Sequence, residues 1–384
     1  MHKKTLILFV RRGYLEIEYI LPVLEILKKR FTIVTYFEKR KAFNSLLNQR
    51  DVFKNWKKLC FNFHVDFFFD NFLQKLCLKI LLFFDFKNKN FTRKILNKIH
   101  SLSEISKKLN IEENNIKYIL SDYNTHSQNI YQILKEEKRP RVYFFPTSPQ
   151  IIKAKNKVNK NARPFLNYID NLFINSNFEL KYWSNFIAKS KIKIIGLPLF
   201  YKLKRNKNKR QKNFKVLISY NCVEKKYQQK EIINVKKLLE NLIRFRVPIV
   251  IKLHPMKQDQ YIFDIVKELN SKYLFFSSEN LIYLLKYNIK VHICSTRTAA
   301  ATYSNFFNIP TLGFKQYDHG YDPNSFQITH NLIKPIKNFK QLHTDVSLIL
   351  SGNKKIQKKQ KISFDNIYKI PKNINSHILN LFDD

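Results

Sequence analysis

The chain alternates between short apolar runs and amphipathic stretches, a pattern typical of β-strands separated by α-helices. Thr5–Val10 is a continuous apolar run, Glu16–Arg30 carries apolar residues at helical spacing, and Phe31–Phe37 is a second apolar run. Because strand, helix and strand at this spacing form a βαβ unit, we predict a doubly wound parallel sheet. Pro22 predicts a kink in the helix, or a helix that begins near it.

The same alternation continues to about residue 314 and predicts two Rossmann-like halves. Further strands of the first half are predicted at Ile116–Ser121, Arg141–Phe145, Asn171–Asn175 and Lys191–Ile195, with a helix at Gln128–Glu137. Strands of the second half are predicted at Phe214–Ser219, Val247–Leu253, Tyr273–Phe276, Val291–Cys294 and Thr311–Phe314. Helices between them are predicted at Lys230–Arg244, Lys257–Leu269, Asn280–Tyr287 and Thr298–Phe307.

These elements predict an α/β protein with two parallel-sheet domains and a cleft between them. The N-terminal domain is expected at 1–201, and the basic, aperiodic tract 202–213 is expected to be a linker. The C-terminal domain is expected at 214–345, followed by a tail with helical patches at 346–384. No glycine-rich dinucleotide fingerprint follows a first strand, so dehydrogenase chemistry is disfavoured.

The segment 53–86 is apolar on nearly all sides but is interrupted by Lys and Asp. It predicts either a helix or helix pair packed into the N-terminal domain, or a surface that docks on a membrane or a lipid-linked acceptor. In the second interpretation, Trp56 and its flanking lysines would lie at the level of the lipid headgroups.

The composition favours anionic ligands without naming one. The formal net charge is +41, which attracts nucleic acid, acidic membrane surfaces or phosphorylated small molecules. Four scattered cysteines, no signal-peptide core and no long apolar stretch predict a cytoplasmic protein, at most peripheral at the inner face of the membrane. A basic nucleic-acid-binding protein is the alternative class, but no nucleic-acid-binding motif is found and the aromatic residues lie mainly in apolar runs.

Two strand ends of the second half carry candidate phosphate-binding residues. Ile249–Leu253 is followed by His254-Pro255 and a predicted helix, so His254 can donate to a phosphate oxygen or protonate a leaving phosphate. Val291–Cys294 runs into four polar residues, Ser295-Thr296-Arg297-Thr298. Helix capping alone would explain fewer hydroxyls. If the two strands are neighbours, both ends point at one anion.

Here the sequence resembles a family. Lys252-Leu253-His254-Pro255, then Ser295–Thr298, then Asn308-Ile309-Pro310-Thr311 look like the C-terminal half of GT-B enzymes of surface-polysaccharide assembly. Sialyl- and polysialyltransferases and CDP-glycerol glycerophosphotransferases are nearest in pattern, and UDP-N-acetylglucosamine 2-epimerases share the architecture. The resemblance covers about residues 214–320.

The resemblance implies a set of donor-binding residues. His254 and the hydroxyls of Ser295, Thr296 and Thr298 would bind the donor phosphate, and Lys252 and Arg297 are further candidate substrate-binding residues. Ser219 would face the same cleft, and Ser277 and Ser278 would lie near the nucleobase. The acidic residue that many such proteins use to bind the ribose is missing, since the nearest positions are Thr302 and Tyr303. That departure, and the lack of paired glycines, favour a transferase over an epimerase.

The N-terminal half is expected to supply the acceptor site and a general base. We predict Asp122 first, Glu16 second and His126 third, with helix capping or favourable charge at a helix N-terminus as the alternative role. No Asp-x-Asp metal motif is present, so we predict no metal and no cofactor beyond the nucleotide-sugar. The sequence thus predicts a metal-independent glycosyltransferase that uses a CMP- or CDP-activated donor, or less favourably a UDP-activated one, and a saccharide or lipid-linked acceptor.

Overall fold

The computed structural model describes residues 3–66, 101–122, 136–148, 168–201, 213–219, 228–253, 260–296, 298–314 and 322–383, with the single positions 130, 133, 134, 166 and 203. The chain divides into two compact units. The first unit is Met1–Leu203 with Lys369–Asp384, and the second is Lys204–Tyr368. Every helix among the described residues is too short or too polar to cross a membrane.

The first unit is built on a parallel sheet. Its described strands are β1 Thr5–Val10, β2 Thr32–Phe37, β3 Cys60–Val65, β4 Ile116–Asp122, β5 Arg141–Phe145, β6 Asn171–Ile174 and β7 Ile192–Ile194, in the order β3-β2-β1-β4-β5-β6-β7. Its described helices are α1 Tyr14–Leu27, α2 Arg40–Leu47, α3 Arg50–Leu59, α4 Leu102–Leu109 and α5 Leu180–Trp183, with short 3-10 turns at Glu113–Asn115, Asn177–Glu179, Lys189–Lys191 and Pro198–Phe200.

Both faces of this sheet are buried, which is why β1 is apolar at every position. Leu6, Leu8 and Val10 pack into a core shared with α1 and α3. Ile7 and Phe9 point to the opposite face and join a core that includes α4. Side chains alternate between the two faces along a strand, so one apolar run contributes to two cores.

Residues 369–384 also belong to the first unit. The Phe382 ring lies 5.3 Å from the Tyr118 ring, 5.2 Å from the Tyr143 ring and 5.6 Å from the Phe173 ring, measured between centroids. The Tyr118 hydroxyl donates to the Phe382 carbonyl at 2.7 Å. This segment therefore completes the aromatic core of the first sheet.

The second unit has a smaller parallel sheet. Its described strands are β8 Val216–Ser219, β9 Ile249–Lys252, β10 Leu274–Ser277, β11 Val291–Cys294, β12 Thr311–Phe314 and β13 Lys334–Ile336, in the order β10-β9-β8-β11-β12-β13. The helices that follow in chain order are α6 Gln228–Ile243, α7 Gln260–Leu269, α8 Leu281–Leu285, α9 Ala300–Phe306, α10 Phe326–Thr329, α11 Phe339–Leu350 and α12 Lys355–Ile367. The last described helix, α13 Ile374–Asn380, returns to the first unit.

The two faces of the second sheet differ. Val216, Ile218 and Ile293 pack against α6, α7 and α11 in one large apolar core. On the other face a smaller cluster contains Cys294, Ala301 and Ile333. Buried polar residues, among them His292 and Ser304, also lie on this second face.

The prediction of two Rossmann-like domains with parallel sheets is confirmed, and the predicted bounds of β1, β5, β11 and β12 match those observed. Helix α1 begins at Tyr14 and contains Pro22, so the helix does not begin near this proline. The helical interpretation of 53–86 is wrong over Cys60–Val65, which forms β3, and residues 67–86 lie outside the described residues. Trp56 is fully buried and donates to the Thr35 hydroxyl at 3.0 Å, so it is not available to a membrane surface. Strand β13 was not predicted.

Candidate functional site

The carboxyl edge of the first sheet carries two buried carboxyl groups. In a parallel sheet all strands end at the same edge, where open α/β folds bind their ligands. Glu16 lies in the first turn of α1, just beyond β1, and Asp122 is the last residue of the adjacent β4. The two residues expose only 1% and 2% of their surface. Both were predicted from the sequence as candidates for a general base, whereas His126 lies outside the described residues.

Three backbone N–H groups hold the Glu16 carboxylate. Its Oε2 atom accepts from Arg11 at 2.8 Å, from Arg12 at 2.9 Å and from Gly13 at 3.3 Å. Gly13 makes this turn possible because its φ is 113°, a conformation that residues with a Cβ rarely adopt. A Cβ there would also lie 1.7 Å from the Ser45 Oγ atom. The side chain of Glu16 is thus fixed by the loop that follows β1.

Arg12 links the two carboxyl groups. Its Nε atom lies 3.2 Å from the Asp122 Oδ2 atom, and its backbone N–H donates to Glu16. Burial and the neighbouring Asp122 carboxylate raise the pKa of Glu16, and the three N–H donors oppose that rise. The Asp122 carboxylate disfavours a second negative charge on Glu16, so the two carboxyl groups lie in different electrostatic environments.

A second polar cluster lies at the ends of β2 and β3. The Tyr36 hydroxyl donates to Asp66, and the Lys108 Nζ atom lies 3.3 Å from the Asp66 Oδ2 atom. The His64 ring lies 5.4 Å from the Tyr36 ring, and burial together with Lys108 lowers the pKa of His64. Within the described residues these groups satisfy one another and fix this corner of the sheet.

In the second unit, β8 lies between β9 and β11. The condition under which both motifs would point at one anion, that β9 and β11 are neighbours, is not met, since each of these strands pairs with β8. Ser219 ends β8 and stands directly opposite Lys252, which ends β9. The strand between the two predicted motifs thus contributes a hydroxyl of its own. His254 and Arg297 lie outside the described residues.

The predicted donor-binding residues differ in how accessible they are. Lys252 is half-buried, and burial lowers the pKa of its ammonium group. Ser219 exposes 8% of its surface, Ser295 3% and Thr296 none. Ser277, at the end of β10 and opposite Lys252 in register, accepts from the Glu279 N–H at 3.2 Å, and Ser278 is exposed.

The threonines after β11 make local contacts. The Thr296 hydroxyl accepts from the Asp322 N–H at 3.4 Å, and the Thr298 hydroxyl accepts from the Ala300 N–H at 3.2 Å, at the start of α9. Thr302 is fully buried, so its side chain faces the protein interior. Ser219, Lys252 and Ser295 lie at the same edge, and each exposes part of its surface.

Sequence reasoning missed His292. This residue sits in the middle of β11 and is fully buried. Its Nε2 atom lies 2.8 Å from the Ser219 Oγ atom, and its Nδ1 atom lies 2.6 Å from the Ser304 Oγ atom on α9. The sequence feature that could have revealed it is the single polar residue within the otherwise apolar run Val291–Cys294.

No protein-family model and no curated protein matches the sequence. Solved structures match along nearly its whole length. A UDP-GlcNAc 2-epimerase from Neisseria meningitidis bound to UDP-GlcNAc is 12% identical, with a TM-score of 0.62 over 98% of each chain. The Methanocaldococcus jannaschii UDP-GlcNAc 2-epimerase with UDP-GlcNAc and UDP is 14% identical, with a TM-score of 0.57 over 99% of each chain.

A glycosyltransferase is also among the similar structures. The spinosyn rhamnosyltransferase complexed with spinosyn aglycone is 10% identical, with a TM-score of 0.51 over 99% of this chain and 100% of that chain. Identities this low show the fold and do not show the reaction. The chain has the GT-B fold, which these epimerases and this glycosyltransferase share.

Proposed function

We propose that this protein is an enzyme acting on a UDP-activated sugar, and that it removes and returns a proton on the sugar as an epimerase does. The observation that carries the proposal is the buried pair of Glu16 and Asp122 at the carboxyl edge of the first sheet. Their environments differ, and such a difference is how two carboxyl groups come to act as acid and base.

The two members of the pair suit opposite roles. The Arg12 Nε atom lies 3.2 Å from Asp122, and we assign the role of the base to Asp122. Glu16 is buried and its pKa is raised, so it suits the role of the acid. Inverting a sugar carbon requires a proton to leave one face and another to arrive at the opposite face. A glycosyl transfer requires only the removal of an acceptor proton.

The second unit supplies groups for the nucleotide. Ser219 and Lys252 stand side by side at adjacent strand ends, and hydroxyl and ammonium groups bind phosphate oxygens. The sequence favoured a CMP- or CDP-activated donor and a transferase. We now favour UDP and the epimerase alternative, because both epimerases described above were solved with UDP-sugar or UDP.

Glycosyl transfer is the second candidate, supported by the rhamnosyltransferase of the same fold. Asp122 alone would then be the base. The finer resemblance to sialyl- and polysialyltransferases, a saccharide or lipid-linked acceptor, and a peripheral contact with an anionic membrane stay predictions of the sequence.

The test is incubation of the full chain with UDP-GlcNAc in D₂O, followed by proton NMR. We expect the 2-epimer of the substrate, with deuterium in place of the proton at C2. Asp122→Asn should lower turnover by about 10²-fold or more, as the loss of a general base does. The control is Glu137→Gln, an exposed carboxylate of the first unit that should keep wild-type turnover.

Two outcomes separate the candidates. Release of UDP with the C2 proton retained, dependent on an added sugar acceptor, would replace the epimerase by a transferase. Wild-type turnover in both Asp122→Asn and Glu16→Gln would remove the carboxyl pair from the mechanism.

A further inference from the structure

The buried histidine of β11 forms a continuous hydrogen-bonded chain with two serines. The His292 ring lies between the Ser219 hydroxyl, 2.8 Å from Nε2, and the Ser304 hydroxyl, 2.6 Å from Nδ1. Its strand neighbours Val291 and Ile293 are apolar and fully buried. A polar ring at this position is expensive to bury unless both nitrogens are bonded. Because both are bonded, the network can serve a purpose beyond packing.

The number of protons on the ring is fixed. Burial lowers the pKa of His292 to about 3, so the ring is neutral at pH 7 and carries one N–H. One nitrogen donates and the other accepts. Two tautomers are therefore compatible with the same heavy-atom positions.

The two tautomers differ at Ser219. The Ser304 hydroxyl also lies 3.2 Å from the Ala300 carbonyl, which only accepts. If Ser304 donates to Ala300, then His292 Nδ1–H donates to Ser304 and Ser219 donates to Nε2. If Ser304 instead donates to Nδ1, then Nε2–H donates to Ser219, and the Ser219 proton is directed to another acceptor.

Ser219 is the member of this chain that can meet a ligand. It exposes 8% of its surface at the carboxyl edge, whereas His292 and Ser304 expose none. It also stands opposite Lys252, a cation. The oxygens of an ionised diphosphate only accept hydrogen bonds, so a diphosphate at Ser219 selects the tautomer in which Nε2 carries the proton.

We propose that His292 is a positioning residue that turns the Ser219 hydroxyl into a hydrogen-bond donor for the diphosphate of the nucleotide. The inference rests on the proposed nucleotide-sugar function. It adds that a buried histidine, bonded to one serine of β8 and one of α9, orients a hydroxyl that binds the ligand. His292 itself touches no ligand and acts through Ser219.

The direct test is the tautomer of His292 in the full chain, measured by two-bond ¹H–¹⁵N NMR on protein labelled at histidine. In the UDP complex we expect the proton on Nε2. A proton on Nδ1 in the UDP complex overturns the proposal.

Affinity for UDP, measured by calorimetry, gives the second readout. Ser219→Ala removes a hydrogen bond to a charged group and should weaken UDP binding by about tenfold or more. His292→Leu should weaken it by a similar factor, whereas His292→Gln, whose amide can still donate to Ser219, should stay within about threefold. The control Ser351→Ala removes an exposed serine of the same unit and should bind as the wild type does.

The outcomes distinguish the two proposals. UDP binding that is equal in wild type and His292→Leu refutes the positioning role and leaves the nucleotide-sugar function standing. No binding of UDP, CDP or CMP by the wild type refutes both.

Discussion

The burial of His292 predicts how the second unit responds to acid. The imidazole pKa is about 3 in the folded protein and 6.5 in an exposed chain. The unfolded state therefore takes up a proton as the pH falls below 6.5, while the folded state does not. Stability that is fully present above pH 6.5 is lost as the pH falls toward 3. From these two values, the contribution lost is about 2 kcal/mol at pH 5 and approaches roughly 5 kcal/mol near pH 3.

The perturbation is His292→Leu, which removes the titrating group and fills the same space. The variant can start from a different stability at pH 8, because it leaves two serine hydroxyls without the ring. The comparison uses the pH dependence of the free energy of unfolding. All other titrating groups are the same in the wild type and the variant, so their contributions cancel. Between pH 8 and pH 5 the wild type should lose about 2 kcal/mol more than the variant.

The assay is hydrogen exchange of the Val291–Cys294 amides, followed by mass spectrometry at each pH after correction for the intrinsic exchange rate. It reports on the second unit even if the two units unfold separately. The control His343→Gln removes an exposed histidine of α11 and should keep the wild-type dependence. Parallel curves for the wild type and His292→Leu would refute the reasoning that burial keeps this ring neutral.

Three further predictions concern two glycines and the carboxyl pair. Gly13→Ala should lower the melting temperature and destabilise by more than about 2 kcal/mol, because φ is 113° and the new Cβ meets the Ser45 Oγ atom; an unchanged melting curve would contradict this geometry. Gly313→Ala should destabilise by about 1–3 kcal/mol in urea unfolding, since its Cβ would lie 2.8 Å from the Thr296 methyl carbon; no loss would mean that the neighbouring side chains yield freely. The pKa of Glu16 is raised above 4.5 in the folded protein, so stability that is present at low pH is lost as the pH rises through the folded value. Glu16→Gln lacks this loss, and its melting temperature should therefore rise relative to that of the wild type between pH 5 and pH 8. A constant difference in melting temperature would argue against the raised pKa.

The sequence predicted those parts of the fold that depend on local pattern. β1 was recognised because a strand buried on both faces is a continuous apolar run, and β11 because three of its four residues are apolar. β3 was missed because its aromatic and polar residues continue the composition of the helix before it. β13 has three residues, one of them Lys334, and carries too little pattern to be recognised.

The sequence likewise predicted those residues of the candidate site whose position follows from the local pattern. Glu16 and Asp122 were found because strand ends follow from the apolar pattern, and strand ends mark the ligand-binding edge. Their link through Arg12 depends on the backbone turn at Gly13, which no spacing rule supplies. His292 was missed because its position in the strand predicts a core residue. Its partner Ser304 lies on the next helix and is brought near only by tertiary packing.

The return of residues 369–384 to the first unit has a consequence for synthesis on the ribosome. The aromatic side chains that surround Phe382 are translated long before it, and the whole second unit is made in between. The aromatic core of the first unit is therefore completed only after the second unit has been synthesised. Folding of the first unit is therefore coupled in time to the synthesis of the second unit.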